Sequence, residues 1–221
     1  MKHLRVPSIH RYQSHQAFVR ACIDALRESL LTVLDEQANV TLAVPGGRTI
    51  SEILPTFAGA DLPWDRIIIT LVDERWVAPC HPDSNETQVR KLMREIANRA
   101  RFRGLYSSTE SPEEAIVALE QRISQPDIVL LAMGHDGHIG SLFPGTPVSA
   151  SPNRYVVVSR NDHIRITLTF AAIGAARSII LPLHGAAKEH VFFAALSGAS
   201  PNNLPVRYVL DHGAQVFIGP Q

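Results

Sequence analysis

Two imidazoles, one carboxylate and three glycines fall within seven residues of the stretch Met133-Gly134-His135-Asp136-Gly137-His138-Ile139-Gly140-Ser141-Leu142-Phe143-Pro144. An imidazole ordinarily titrates near pH 6.5, so it can take or release a proton at neutral pH, and a neighbouring carboxylate can fix its tautomer. Packing does not call for so many titratable groups in one glycine-rich turn, whereas functional sites do gather them. A second candidate is Pro45-Gly46-Gly47-Arg48-Thr49. Its glycines let the backbone approach an anion, and a helix that opens there adds favourable partial charge. An ordinary glycine turn is the alternative. It is not a Walker loop, because the spacing and the Gly-Lys-Ser/Thr ending are missing. The third candidate is Asp73-Glu74-Arg75-Trp76-Val77, followed by Ser84-Asn85. Three charges directly behind an apolar run must pair with one another or bind something.

Each candidate follows a run with strand character. Val40 to Val44, Ile67 to Val72, Asp127 to Ala132, Ser178 to Leu183 and Ala214 to Ile218 are short, apolar and β-branched, as buried strands are. Helical spacing marks the segments between them: His15 to Gln37 with Ser14 as cap, Thr49 to Phe57, Asn85 to Asn98, Pro112 to Ser124 and Ala186 to Leu196. Ser111-Pro112-Glu113-Glu114 carries a cap, a proline at the first helical position and a glutamate placed to close a capping box. Strands alternating with helices predict an α/β fold with a mainly parallel sheet covered on both faces. Tyr155 to Ser159 and Arg165 to Phe170, joined by Arg160-Asn161-Asp162-His163, read as a small inserted hairpin. In such sheets ligands sit beyond the carboxyl ends of the strands, where all three candidates lie.

The whole-chain properties narrow the ligand. The 221 residues, 45% hydrophobic and 19% charged, suit one globular domain spanning 1–221. Basic and acidic residues balance at 21 each, so no net field draws the chain to nucleic acid or an anionic membrane, and an anionic ligand must be met locally. Met1 to Tyr12 lack the apolar run of a secretory signal, and no stretch approaches membrane-spanning length. Cys22 on an apolar stripe and Cys80 in a loop read as reduced thiols, which fits a cytoplasmic location. No obligate protein partner is evident.

Seven blocks in order resemble those of the 6-phosphogluconolactonases: Gly46-Gly47-Arg48-Thr49, Asp73-Glu74-Arg75-Trp76-Val77, Ser84-Asn85, Met133 to Pro144, Arg165-Ile166-Thr167-Leu168-Thr169, Gly185-Ala186-Ala187-Lys188 and Leu204-Pro205. The resemblance implies a Rossmann-like fold shared with glucosamine-6-phosphate deaminases and ribose-5-phosphate isomerases. It also implies hydrolysis of 6-phospho-D-glucono-1,5-lactone in the oxidative branch of the pentose phosphate pathway, with no cofactor. Ser141-Leu142-Phe143-Pro144 stands where a deaminase would carry an Asn-Glu-Pro type sequence. Pro45 stands where related loops often have serine; Ile50, Ala132 and Gly140 are milder departures.

The resemblance marks His138 as the base that activates water. Asp136 or Asp73 would orient it, and Arg75 would stabilise developing charge or bind substrate hydroxyls. Gly46, Gly47, Arg48, Thr49, Asn85, Arg165 and Lys188 would bind substrate, mainly through its phosphate, and His135 has no assigned role. Three other readings stand beside this one. They are an isomerase or deaminase on the same scaffold, a metallohydrolase using His135, Asp136 and His138, and a phosphosugar-binding regulator without turnover. Against the metal reading, ligands packed so closely in one glycine turn do not easily converge without a third from elsewhere, and the helical His-x-x-x-His presentation is missing.

Overall fold

The computed structural model describes residues 6–108, 111–146, 151–160 and 163–220. Asn161 and Asp162, expected in the hairpin turn, and Met1 to Arg5 lie outside the described residues. Helix α1 (His15–Glu36) begins where Ser14 Oγ accepts the Ala17 N–H. Its Phe18, Cys22, Leu26, Leu30, Val33 and Leu34 fall on one buried face. Each large side chain buried there contributes on the order of 1.5–3 kcal/mol. Burial also pushes the Cys22 thiol pKa up to about 12, which keeps it protonated. Cys80 is exposed, and both thiols are free.

Seven strands form one sheet: β1 (Ser8–Arg11), β2 (Val40–Val44), β3 (Ile67–Leu71), β5 (Arg101–Arg103), β6 (Ile128–Leu130), β9 (Ser178–Leu183) and β10 (Gln215–Ile218). Their order is β1-β10-β9-β6-β2-β3-β5, and every neighbouring pair is parallel. The chain runs outward from β2 through β3 to β5, then returns to place β6 on the other flank of β2. The order therefore reverses between β2 and β6, and the loops after these strands diverge to leave a crevice. Helices α2 (Arg48–Ala58), α3 (Asn85–Leu92), α4 (Pro112–Arg122), α5 (Phe170–Gly174), α6 (Ala186–Leu196) and α7 (Val206–Leu210) complete the order of elements. The expected capping box at Ser111 and Glu114 is formed.

A second, three-stranded antiparallel sheet holds β4 (Asp73–Arg75), β8 (His163–Leu168) and β7 (Tyr155–Arg160), in the order β4-β8-β7. It contains the expected hairpin. It also captures Asp73-Glu74-Arg75, which pair with Thr167, Ile166 and Arg165. Val72 joins the two sheets: its N–H donates to Val44 O at 2.9 Å and its carbonyl accepts the Leu168 N–H at 2.8 Å.

Some boundaries differ from the sequence expectation. Asp127 stays outside β6 because its carboxylate accepts the Thr41 N–H at 2.9 Å and a Gln37 amide N–H at 3.0 Å. The helix expected over Asn85 to Asn98 ends at Leu92, and a tighter turn over Arg94–Ile96 follows. In that turn residues three apart line up, which buries Met93 and Ile96 together. Phe170 opens α5 instead of ending a strand, since Thr169 Oγ1 caps the helix by accepting the Ala172 N–H.

Candidate active site

The β6 turn folds back on itself through Gly134 N–H to His138 O at 2.9 Å and Gly137 N–H to Gly134 O at 3.2 Å. Gly137 has φ +82°, a conformation that side chains other than glycine rarely adopt. From below, the Val206 N–H donates to Gly137 O, and Leu204 fills the space a Gly137 side chain would need. The turn presents His138, whose Nδ1 lies 2.5 Å from Asp136 Oδ1. With the Nδ1 hydrogen given to Asp136, Nε2 carries the lone pair and has no hydrogen-bond partner among the described residues. Burial pushes the Asp136 carboxyl up, but the hydrogen bond and charge of His138 outweigh it and hold its pKa below the ordinary carboxylate value. Phe143 packs on the His138 ring at 4.8 Å, and the Arg160 guanidinium lies over Phe143 at 3.9 Å and 3.8 Å from Asp136. His135 is exposed and outside the cleft.

Asp73 and Glu74 emerge from β3 with different tasks. Asp73 Oδ2 accepts the buried Ser141 Oγ–H at 2.6 Å, and Asn85 Nδ2 donates to Asp73 O at 2.9 Å. No hydrogen bond joins Asp73 to His138 among the described residues, so it is Asp136 that touches the imidazole. Glu74, 1% exposed, accepts from Ser84 Oγ and from the N–H groups of Arg75, Asn85 and Glu86. It thereby caps α3 and fixes it to β4. Burial raises the Glu74 pKa despite these donors. Ser141 and Glu74 were absent from the site expected from sequence; their signal was present in the blocks, but their partners are distant along the chain.

Across the cleft, the glycine loop after β2 enters α2 through Gly47 at φ +105°. Lys188, in the first turn of α6, donates to Thr49 Oγ1 at 3.4 Å. Burial and the charge of Arg48 lower the Lys188 pKa, and Glu52 opposes them. Arg75 and Arg165 are directly opposed across β4 and β8. Like charges so placed repel unless an anion or a carbonyl lies between or beside them. Arg75 Nη1 donates to Asp83 O at 2.6 Å, while its buried Nε has no partner among the described residues.

One cleft of about 180 Å³ is lined by Gly46, Gly47, Arg48, Thr49, Asp73, Arg75, Asn85, His138, Arg165 and Lys188, with Pro45, Ala132, Met133, Gly134 and Gly140. The expected site residues are thus brought together, with Asp136 behind His138. A larger cavity of about 540 Å³ lies beyond Phe143 and Arg160. Its walls carry none of the candidate residues, so volume does not locate the chemistry here.

The family model described as glucosamine-6-phosphate isomerases/6-phosphogluconolactonase matches residues 13–218. The chain belongs to this family. It is 36% identical over 194 residues to a 6-phosphogluconolactonase of Pseudomonas aeruginosa, covering 82% of each chain. It is 31% identical to one of Neisseria meningitidis serogroup B, covering 92% of this chain and 94% of that protein. The crystal structure of a 6-phosphogluconolactonase from Shewanella baltica superposes with a TM-score of 0.89 at 28% identity, covering 98% and 99% of the two chains. Among the described residues, Asp73 is the only carboxylate lining the cleft, beside the cationic Arg48, Arg75, Arg165 and Lys188.

Proposed function

We propose that this chain is a 6-phosphogluconolactonase, which hydrolyses 6-phospho-D-glucono-1,5-lactone to 6-phosphogluconate, and that its site residues act as follows. Lys188, Arg48, Thr49 and the N–H groups at the start of α2, which the loop at Gly46 and Gly47 presents, hold the phosphate, and Asn85 and Arg165 complete the substrate's surroundings. His138 Nε2 takes a proton from water as the water oxygen attacks the lactone carbonyl carbon. Arg75 stabilises the negative charge that develops on the carbonyl oxygen. When the bond between that carbon and the ring oxygen breaks, the imidazolium returns its proton to the ring oxygen and the open-chain acid forms. Asp136 holds the tautomer and stabilises the imidazolium between these two transfers. No step calls on a metal or cofactor.

The observation that carries this reading is the presence of a carboxylate-oriented imidazole in the same cleft as four cationic side chains, Arg48, Arg75, Arg165 and Lys188. A deaminase or isomerase would need a carboxylate free to move a proton on carbon, and the Asp73 carboxylate is tied to Ser141. Among the described residues no helix is long and apolar enough to cross a membrane, and the reading places the enzyme in the cytoplasm. The test is 6-phosphogluconate formation above the spontaneous rate, followed through a second, NADP-dependent dehydrogenase. Ammonia release from glucosamine 6-phosphate without lactone hydrolysis would overturn the reading.

A further inference from the structure

The N–H of Gly47, in the glycine loop, is already engaged. It donates to Gln88 Oε1 at 3.0 Å. Gln88 Nε2 in turn donates to Ser51 Oγ at 3.2 Å, and Ser51 Oγ donates to Gly47 O at 3.1 Å. Gln88 thus closes a ring of hydrogen bonds around Gly47, whose φ of +105° is one that side chains other than glycine rarely adopt. Gly46 is part of the same fit: a Cβ there would lie 2.1 Å from Asn85 Oδ1 and 2.9 Å from Gln88 Oε1. Neither Gln88 nor Ser51 lines the cleft.

The helix that carries Gln88 is fixed at its other end. Ser84, Asn85 and Glu86 at the start of α3 all donate to Glu74, and Asn85 donates to Asp73 O. Gln88 sits one turn further on, its N–H bonded to Ser84 O at 3.2 Å. The glycine loop at the phosphate end of the cleft is therefore braced against the element that fixes Asp73 and Arg75 at the other end. The loop N–H groups left for a ligand are those of the first turn of α2, which have no acceptor within the helix.

The geometry points to Gln88 as a positioning residue that holds the glycine loop in place for the substrate's phosphate and so sets the preference for a phosphorylated over an unphosphorylated lactone. It does so through Gly47 and Ser51, without touching substrate. The inference rests on the lactonase reading and adds a residue to the phosphate end of that site. Its consequence is selective: releasing the loop weakens the grip on phosphate and leaves the His138 end unchanged.

The test compares kcat/KM for 6-phosphogluconolactone and for gluconolactone in the wild type, Gln88→Leu and Ser51→Ala, with unfolding midpoints measured alongside. For Gln88→Leu the ratio of the two values is expected to fall roughly five- to tenfold, the worth of one net hydrogen bond lost from the brace. Ser51→Ala is expected to move it in the same direction by less, and inhibition by inorganic phosphate should weaken in parallel. An unchanged ratio, or an equal fall for both lactones, overturns the proposal; should Gln88→Leu not fold, Ser51→Ala decides it by the same ratio. A wild type that hydrolyses neither lactone overturns the functional reading instead. The brace is then judged by whether the Kd for inorganic phosphate rises in the variants.

Discussion

Gly134→Ala tests whether the placement of His138 governs turnover. The imidazole lies directly against Gly134: a Cβ built there would be 2.1 Å from both Cε1 and Nδ1 of His138 and 2.8 Å from Nε2. Ordinary contact begins near 3.4 Å, so the ring has to retreat by about 1.3 Å, which pulls Nδ1 from Asp136. Gly134 is not among the glycines with positive φ, so alanine fits the backbone and the damage is confined to the ring. A misplacement of about 1 Å can cost on the order of 10²-fold in rate, and a positioned general base contributes roughly 10²- to 10⁴-fold in all. Gly134→Ala should accordingly lose about 10²-fold or more in kcat after subtraction of the spontaneous reaction. Its affinity for 6-phosphogluconate, read by calorimetry, should stay within about twofold. In a double-mutant cycle Gly134→Ala should add little to His138→Asn, because both remove the same function. A kcat within twofold of wild type, or full additivity in the cycle, would refute the reasoning.

Other outcomes follow from the same geometry. His138→Asn should lose roughly 10²- to 10⁴-fold in kcat with product affinity kept; parallel loss of binding would assign it to substrate holding. Lys188→Ala should raise KM more than it lowers kcat, since the phosphate contact proposed for it would hold in ground and transition states alike. Because burial and Arg48 lower the Lys188 pKa, the charge that binds phosphate is lost as pH rises through that lowered value. Product affinity should therefore weaken at a pH below that at which an ordinary lysine deprotonates, and Lys188→Arg should remove this fall. Glu74→Ala should destabilise the fold by about 1–3 kcal/mol by leaving the Asn85 and Glu86 N–H donors of α3 without an acceptor. Burial raises the Glu74 pKa, so between the ordinary carboxylate value and the raised one the folded chain binds more protons than the unfolded chain. Stability contributed by Glu74 is greatest below that window and is lost as pH rises through it. Thermal melts against pH should show this slope in the wild type and not in Glu74→Ala. Exhaustive chelation should leave turnover intact, and loss restored by a divalent ion would overturn the mechanism.

The central strands were legible because burial on both faces makes them continuous apolar runs, as Val40–Val44 and Ser178–Leu183 show. β1, with all four residues exposed, and β4, with three charges, gave no such run. β4 exists because β8 supplies its hydrogen bonds, which periodicity does not report. The candidate site was legible where chemistry concentrates in sequence, at Asp136 to His138 and at Gly46 to Thr49. Gln88 was not, since an amide in an amphipathic helix looks like solvated surface until the loop it clasps is brought beside it. The orienting carboxylate was ambiguous for the same reason: Asp73 and Asp136 differ only in which neighbour the fold gives them, Ser141 for one and the imidazole for the other.

Val72 gives its N–H to one sheet and its carbonyl to the other. Val72 is therefore a joint common to the two sheets, with Arg75 and Arg165 on the small one, His138 on the loop after β6 and Lys188 in the first turn of α6. A relative slide of the two sheets would break a bond to that residue, so the spacing of Arg75 and Arg165 from the groups that follow the large sheet's strands is tied to the backbone at Val72.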